Sequence, residues 1–518
     1  MILPQILVEN ARLHGSRPAI LDDERNFTWS EFADRVARAA GLLQDMGLAP
    51  GDRFALIMRN GFRNAELLWA GYWAGVVPVP INWRLNPREM AAILEDSGCK
   101  LIALAGEFLP LLDSPTLGMW TGRTLTVEAL PGDAGQYEAR IAAAAAVPVH
   151  PSSESDDAIL LYTSGTTGSG KGVRLTHRNI ISDAWQNGLA LGIRPYDIYM
   201  HVAPMFHSAD LNGTICFLLG CGHVYVAQFS PAGVFATIAR HRPTVTNLVP
   251  TMVKMMAEDE SATRFDLSSL RLIYYGSSPM PMEWLRAARE RFPRADWYQG
   301  YGLTETSPIL TVMDHECHMR CFESGDFTML KSVGTPVAGV QMRIVDDGDR
   351  PLACGETGEV IVRGPNVSPG YYRRDAENAQ AFRGGWFHTG DVGRLDENGF
   401  LFLVDRKKDV IITGGENVYS TEVEAALFRH SGVAEAAVIG VPDDKYGEAL
   451  FAVIAPRAGV TLTVEDVVRH CREHIAGFKI PRHVVFVDAL PRTALGKVQK
   501  NVLRQTYGAG GLGPAAPS

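Results

Sequence analysis

The chain is poor in cysteine, has no excess of basic charge and carries no long apolar run. Its seven cysteines (residues 99, 216, 221, 317, 321, 354 and 471) are odd in number and scattered over 518 residues. That excludes a disulfide-stapled scaffold and fits a reducing, cytoplasmic setting. Acidic residues outnumber basic ones, 58 to 49, so no global positive field draws the chain to nucleic acid. No apolar stretch reaches the ~20 residues of a membrane-crossing helix. No basic patch precedes the short apolar stretch near residue 1, so a secretory signal is not expected. What remains is 46% apolar and 21% charged residues, the balance of a globular protein too long for one core. Partners are expected among small molecules, with a homodimer left open.

Local signals organise the chain. Thr28 and Glu31 make a capping box, after which Phe32, Val36, Ala39, Leu43 and Met46 share a helical face that Gly47 ends. An apolar strand is expected over 54–58, a helix from there to Gly75, and a strand over 76–80 whose prolines place it at an edge or an end. Helix-length and strand-length segments alternate to about residue 290, which predicts a mainly parallel α/β architecture. After residue 330 short strands (341–345, 359–363, 400–404) between Gly- and Asp-rich turns predict a small all-β region. Asp405-Arg-Lys-Lys-Asp409 reads as a solvated connector. Beyond it a compact unit is expected: helix 420–430, strands 434–441 and 450–455, helix 463–476 and strand 483–487. The boundary is placed at residue 406, and the Gly-, Ala- and Pro-rich tail 508–518 is expected to be disordered.

The most informative stretch is Tyr162-Thr-Ser-Gly-Thr-Thr-Gly-Ser-Gly-Lys-Gly172, directly after the apolar run 158–161. Glycines let backbone N–H groups close on an anion, hydroxyls add donors and Lys171 adds a point charge, which together make a polyphosphate cradle. Gly165, Gly170 and Lys171 also satisfy the spacing of a P-loop NTPase, but Gly172 stands where that loop needs a Ser or Thr for magnesium. Further on, Tyr301-Gly-Leu-Thr-Glu305 sets a hydroxyl donor, Thr304, beside a carboxylate, Glu305, suited to a hard cation. His315-Glu-Cys-His-Met-Arg-Cys321 is dense in potential metal ligands, yet its spacing is no standard zinc set, and an inserted loop is expected there.

Taken together these segments resemble the adenylate-forming superfamily: acyl-CoA synthetases, 4-coumarate–CoA ligases, luciferases and peptide-synthetase adenylation domains. Beside the 162–172 loop, the ordered matches are Pro204-Met-Phe-His207, Gly276-Ser-Ser-Pro279, Tyr298-Gln-Gly-Tyr-Gly-Leu-Thr-Glu-Thr306 and Trp386-Phe-His-Thr-Gly-Asp391. Asp405-Arg406, Gly414-Gly-Glu-Asn-Val418 and Pro491-Arg-Thr-Ala-Leu-Gly-Lys497 complete the set. The resemblance implies a large N-terminal adenylation domain (1–406) of layered α/β subdomains with a small β-barrel-like region. A small, mobile α+β C-terminal domain (407–507) would follow. It implies an acid–CoA ligase that forms an acyl-adenylate from a fatty or aryl acid and ATP with Mg2+, releases pyrophosphate, and passes the acyl group to coenzyme A. An enzyme loading a carrier protein remains an alternative, as does a P-loop-type NTPase.

Carried over residue by residue, the resemblance gives each motif a role. Thr163, Ser164, Gly165, Thr166, Thr167, Gly168 and Lys171 would hold phosphates. Gly276, Ser277, Ser278 and Pro279, with Gln299, Gly300, Tyr301 and Gly302, would pack on AMP. Asp391 and Arg406 would take the ribose. Thr304, Glu305, His207 and Lys497 would serve catalysis, Glu305 holding the metal and Lys497 bridging the carboxylate and the α-phosphate. Lys408 would be the hinge, and Gly414 and Gly415 would line the thiol channel. Ala209, Asp210, Asn212 and Tyr275 would line the acyl pocket. In two places the chain departs from the family. Gly170 replaces the usual proline of the phosphate loop, and Ser420, a good N-cap in its own right, replaces another. In the 4-coumarate ligases a tyrosine stands at the position of Ala209, which favours an aliphatic acid here.

Overall fold

The computed structural model describes residues 1–127, 136–163, 170–492 and 498–508. The chain forms two compact units, Met1–Met342 with Val362–Phe387, and Arg343–Ile361 with His388–Ser518.

The first unit is built on a nine-stranded sheet. Its order is Thr335–Pro336, Thr311–Met313, Asp296–Tyr301, Leu272–Gly276, Val245–Leu248, Ile198–His201, Gly222–Tyr225, Pro18–Leu21 and Phe27–Thr28. The six strands from Asp296–Tyr301 to Pro18–Leu21 run parallel, and the outer ones are antiparallel. Successive side chains alternate between faces. Ile273 and Tyr275 pack beneath helices Pro231–His241, Pro250–Glu258 and Met282–Arg291, while Leu272 and Tyr274 face a second core with Tyr199 and Ile215. Both faces are covered, which is why the strands read as apolar runs rather than alternating ones.

A four-stranded parallel sheet has Val77–Pro80 at one edge, as its prolines predict, followed by Arg53–Ile57, Cys99–Ala105 and Thr124–Val127. A third sheet pairs Asp157–Thr163 antiparallel with Lys171–Thr176, on whose far side lies Gly370–Tyr371. The capping box forms as expected: Thr28 Oγ1 accepts from Glu31 N–H at 3.3 Å, and Glu31 Oε2 accepts from Thr28 N–H at 2.8 Å.

Most residues of a four-stranded sheet (Gln341–Val345, Gly358–Arg363, Phe387–Leu395, Leu401–Arg406) and all of a five-stranded one belong to the second unit. In the latter, Val433–Asp443 and Gly447–Pro456 form a long antiparallel pair. Ala436, Val438, Ala452 and Ile454 face the helices Ser420–Phe428 and Val464–His474. Ala437, Ile439, Phe451 and Val453 face Leu503 and Tyr507 of the helix Lys500–Tyr507. The period-two split over one unbroken apolar run again means two covered faces.

Three local expectations give way. The stretch 315–321 is no loop but part of a helix, His315–Ser324, capped by Asp314, whose side chain accepts from Cys317 N–H. The charged run 405–409 is not a solvated connector. Asp405 and Asp409 are buried, Asp405 accepting from Ser420 and Asp409 pairing with Arg504 at 2.6 Å. Nor is Ser420 the cap of its helix. It is the first helical residue, and Asp405 Oδ2 accepts from its N–H at 2.5 Å and from its hydroxyl at 2.7 Å. A carboxylate arriving from a neighbouring strand thus satisfies the helix end. The tail beyond residue 508 lies outside the described residues.

Candidate active site

Strand order marks the candidate site of the first unit. Leaving Ile198–His201, the chain places its next strand on one side, Gly222–Tyr225, and the one after on the other, Val245–Leu248. In open parallel sheets ligands bind outside the carboxyl ends of the strands at such a switch point. The segment that follows Ile198–His201 is the one bearing His207 and the 3-10 turn Ser208–Gly213. Two further carboxyl ends, of Leu272–Gly276 and Asp296–Tyr301, lead into Ser277-Ser278-Pro279 and Gly302–Glu305. The strands themselves are in register, Gly276 beside Gly300 and Tyr275 beside Gln299. Gly300 has a steric cause: a Cβ there would lie 1.6 Å from the Tyr274 hydroxyl oxygen.

The turn bearing Thr304 and Glu305 is held from two sides. Thr304 Oγ1 and Ser208 Oγ lie 3.1 Å apart. From the other side, Ser368 N–H donates to the Glu305 carbonyl at 2.8 Å, and Asn366 Nδ2 donates to the carbonyls of Thr306 and Ile309 at 3.0 and 2.7 Å. Tyr371, which the sequence motifs do not include, donates its hydroxyl to Glu305 Oε1 at 2.8 Å, and the Lys171 ammonium stands 4.9 Å from the centre of its ring. Thr163 and Lys171 face each other across the base of the hairpin, Thr163 Oγ1 donating to the Lys171 carbonyl at 3.4 Å. A strand, Lys171–Thr176, follows this loop where a P-loop would require a helix. Ser164, Gly165, Thr166, Thr167, Gly168 and Lys497 lie outside the described residues.

Residues assigned to the acyl pocket have partners of their own. His207 Nδ1 accepts from Ala209 N–H at 3.2 Å, which in the neutral ring leaves the proton on Nε2. Asp210 Oδ1 is 2.7 Å from His201 Nδ1, and His201 Nε2 is 3.0 Å from His223 Nδ1. These three residues are buried, and burial together with the neighbouring His201 holds His223 well below the ordinary imidazole range. A cavity of about 20 Å³, room for one water, is lined by His201, Asp210, Tyr225 and Tyr72 among others. Asn212 donates to the Ala209 carbonyl at 2.9 Å and accepts from Asn187. The Tyr275 hydroxyl bonds to His318 Nε2 at 2.8 Å and lies 3.4 Å from Gln299 Oε1.

The second unit holds the other set. Asp391 and Arg406 are paired across adjacent strands, with Arg406 Nε 2.6 Å from Asp391 Oδ1. Asp391 is 5% exposed, and a buried carboxylate needs such a partner. The Lys408 side chain is exposed, and its carbonyl accepts from Arg504 at 3.3 Å. Gly414 and Gly415 form the two-residue turn between strands Ile411–Thr413 and Glu416–Val418, with φ of 61° and 86°. Positive φ at both positions is what a type I′ hairpin turn requires, and it accounts for two glycines without reference to a ligand.

Known proteins resemble this chain along nearly its full length. The AMP-binding enzyme family covers residues 7–372, and the AMP-binding enzyme C-terminal domain covers 422–497. A feruloyl-CoA synthase of Amycolatopsis sp is 35% identical over 504 residues, 97% of this chain and 98% of that protein. A 2-succinylbenzoate–CoA ligase of Geobacillus kaustophilus is 34% identical over 507 residues, 97% and 98% of the two chains. Among solved structures, ATP-bound MatB from Rhodopseudomonas palustris superposes with a TM-score of 0.87 at 30% identity, covering 98% of this chain and 99% of that one. The o-succinylbenzoate CoA synthetase of Bacillus subtilis, complexed with its acyl-adenylate OSB-AMP, gives 0.84 at 30% identity and covers 97% and 98%. With both parts of the family matched in order, and relatives a third identical along nearly their full lengths, the chain belongs to the AMP-binding enzyme family of the adenylate-forming superfamily and is an AMP-forming acid–CoA ligase.

Proposed function

We propose that the enzyme activates an aryl or fatty carboxylic acid in two steps. In the first, a carboxylate oxygen bonds to the α-phosphorus of Mg·ATP and the bond to the bridging oxygen breaks, releasing pyrophosphate. In the second, the thiol of coenzyme A attacks the acyl carbonyl, loses its proton, and AMP departs. A free carboxylate is a poor electrophile without a leaving group, and AMP supplies one.

For the first step the loop 163–171 and Thr304 hold the phosphates and Glu305 the magnesium that arrives with ATP. The adenine packs between 276–279 and 299–302, and Asp391 and Arg406 hold the ribose hydroxyls. Lys497 neutralises the two anions that must meet. For the second step the domain 407–507 turns about Lys408 relative to 1–406, and Gly414 and Gly415 border the thiol. His207 gates the acyl side, where Ala209, Asp210, Asn212 and Tyr275 belong. A cytoplasmic location goes with this reading, since free ATP and coenzyme A are its co-substrates.

The observation that carries the reading is that the His207 segment, the 276–279 segment and the Thr304–Glu305 turn all follow carboxyl ends of parallel strands in one sheet. The aryl choice leans on the feruloyl and succinylbenzoyl relatives, the fatty choice on Ala209. The test is AMP release across acids of graded length and aromaticity, with coenzyme A and with a phosphopantetheinyl carrier protein as acceptors. Coenzyme A–dependent AMP release with one acid class supports the reading, and release only with the carrier protein replaces it.

A further inference from the structure

Tyr371 touches both charged groups that the first unit offers to Mg·ATP. Its hydroxyl donates to Glu305 Oε1 at 2.8 Å, and the Lys171 ammonium sits 4.9 Å from its ring centre. The residue is 8% exposed. Its own position is fixed several times over. Tyr371 pairs with Val173 in the strand that begins at Lys171. Its N–H donates to Asn378 Oδ1 at 2.7 Å, and Asn378 Nδ2 donates back to its carbonyl at 2.9 Å. Its ring meets Phe382 edge-on at 5.9 Å. The same segment grips the backbone of the Glu305 turn through Ser368 and Asn366.

A glutamate that must receive a divalent cation has two equivalent oxygens and three side-chain torsions. One donated hydrogen bond selects an orientation and leaves the second oxygen for the metal. A lysine that shares a tyrosine with that carboxylate is drawn to it by charge, and a pair so formed would neutralise itself before substrate arrived. The tyrosine presents a different pole to each: the positive end of O–H to the carboxylate, the negative face of the ring to the ammonium. Each charge is satisfied weakly enough to be given up to a phosphate or a cation.

We propose that Tyr371 is a positioning residue for Mg·ATP, holding Glu305 toward the phosphate-bound magnesium and Lys171 toward the phosphates while keeping the two from pairing. This rests on the roles given above to Glu305 and Lys171. The test uses the full-length protein and the variants Tyr371→Phe, which keeps the ring, and Tyr371→Leu, which removes it. The readouts are acid-dependent ATP–pyrophosphate exchange as a function of free Mg2+, Mn2+ binding in the presence of ATP by electron paramagnetic resonance, and thiolysis of synthetic acyl-adenylate.

For Tyr371→Phe the Mg2+ needed for half-maximal exchange should rise by at least about fivefold, with matching loss of Mn2+ affinity, since a hydrogen bond to a charged group is lost. At saturating Mg2+ its exchange rate should recover. Tyr371→Leu should in addition weaken ATP at every Mg2+ concentration, because Lys171 loses the ring. Thiolysis, which uses no Mg·ATP, should be spared in both. Wild-type Mg2+ dependence and Mn2+ affinity in Tyr371→Phe would overturn the inference, as would equal losses in exchange and thiolysis. Failure of the underlying reading looks different: Glu305→Gln would then leave the Mg2+ dependence of exchange unchanged.

Discussion

Acidification from pH 7 to pH 5 should destabilise the first unit through His318, by an amount the structure sets. His318 is fully buried, with Nδ1 2.7 Å from the Asp314 carbonyl and Nε2 2.8 Å from the Tyr275 hydroxyl. A carbonyl can only accept, so Nδ1 carries the proton and Nε2 accepts from Tyr275. A second proton has no acceptor at Nε2, and burial pushes the imidazole from 6.5 down to about 4, with His315 and Arg289 adding repulsion and Asp314 opposing it. The unfolded chain therefore takes up a proton near pH 6.5 that the folded chain refuses until about pH 4, so stability falls with pH across that window. At about 1.4 kcal/mol per unit, the loss between pH 7 and pH 5 is on the order of 2 kcal/mol. His318→Gln keeps one donor and one acceptor but cannot titrate. Urea unfolding of both proteins at pH 7, 6 and 5 isolates the effect from the carboxylates they share. The gap in unfolding free energy should shift in favour of the variant by about 2 kcal/mol on going to pH 5. Parallel pH curves for the two would refute the assignment.

Gly300→Ala would set its Cβ 1.6 Å from the Tyr274 hydroxyl oxygen, so the unit should melt at lower temperature, by the equivalent of about 1–3 kcal/mol, with loss of ATP–pyrophosphate exchange; an unchanged melting curve would contradict the packing. Lys497→Ala should reduce adenylate formation by roughly a hundredfold or more while sparing thiolysis of pre-made acyl-adenylate. Equal loss in both half-reactions would count against the proposed division of labour.

Much of this molecule was legible in its sequence, and what was not has identifiable causes. The sheets follow from apolar runs and breakers: the edge strand Val77–Pro80 from its prolines, the helix Trp29–Asp45 from its capping box, the Gly447–Pro456 strand from an unbroken apolar run. Two of the misread residues owe their burial to partners outside their own run. Asp405 and Asp409 look solvated because charge runs usually are, yet Ser420 and Arg504, each remote in sequence, bury them. Asp210, assigned to the acyl pocket, is paired with His201 at the end of the preceding strand. The helix His315–Ser324 is masked by its mixed composition, though Asp314 three residues before Cys317 is an N-cap signal that could have revealed it. Tyr371 carries no local mark at all. Its importance comes from a chain fold that places it against Glu305 and Lys171, 66 residues away in the first case.

The claim on which the account turns is that ATP is cleaved between its α and β phosphorus atoms by a carboxylate. The direct measurement uses an acid labelled with oxygen-18 in its carboxyl group and follows the label by mass spectrometry after turnover with coenzyme A. One labelled oxygen should appear in AMP, together with unlabelled pyrophosphate. Label in inorganic phosphate, with ADP as the nucleotide product, would contradict it.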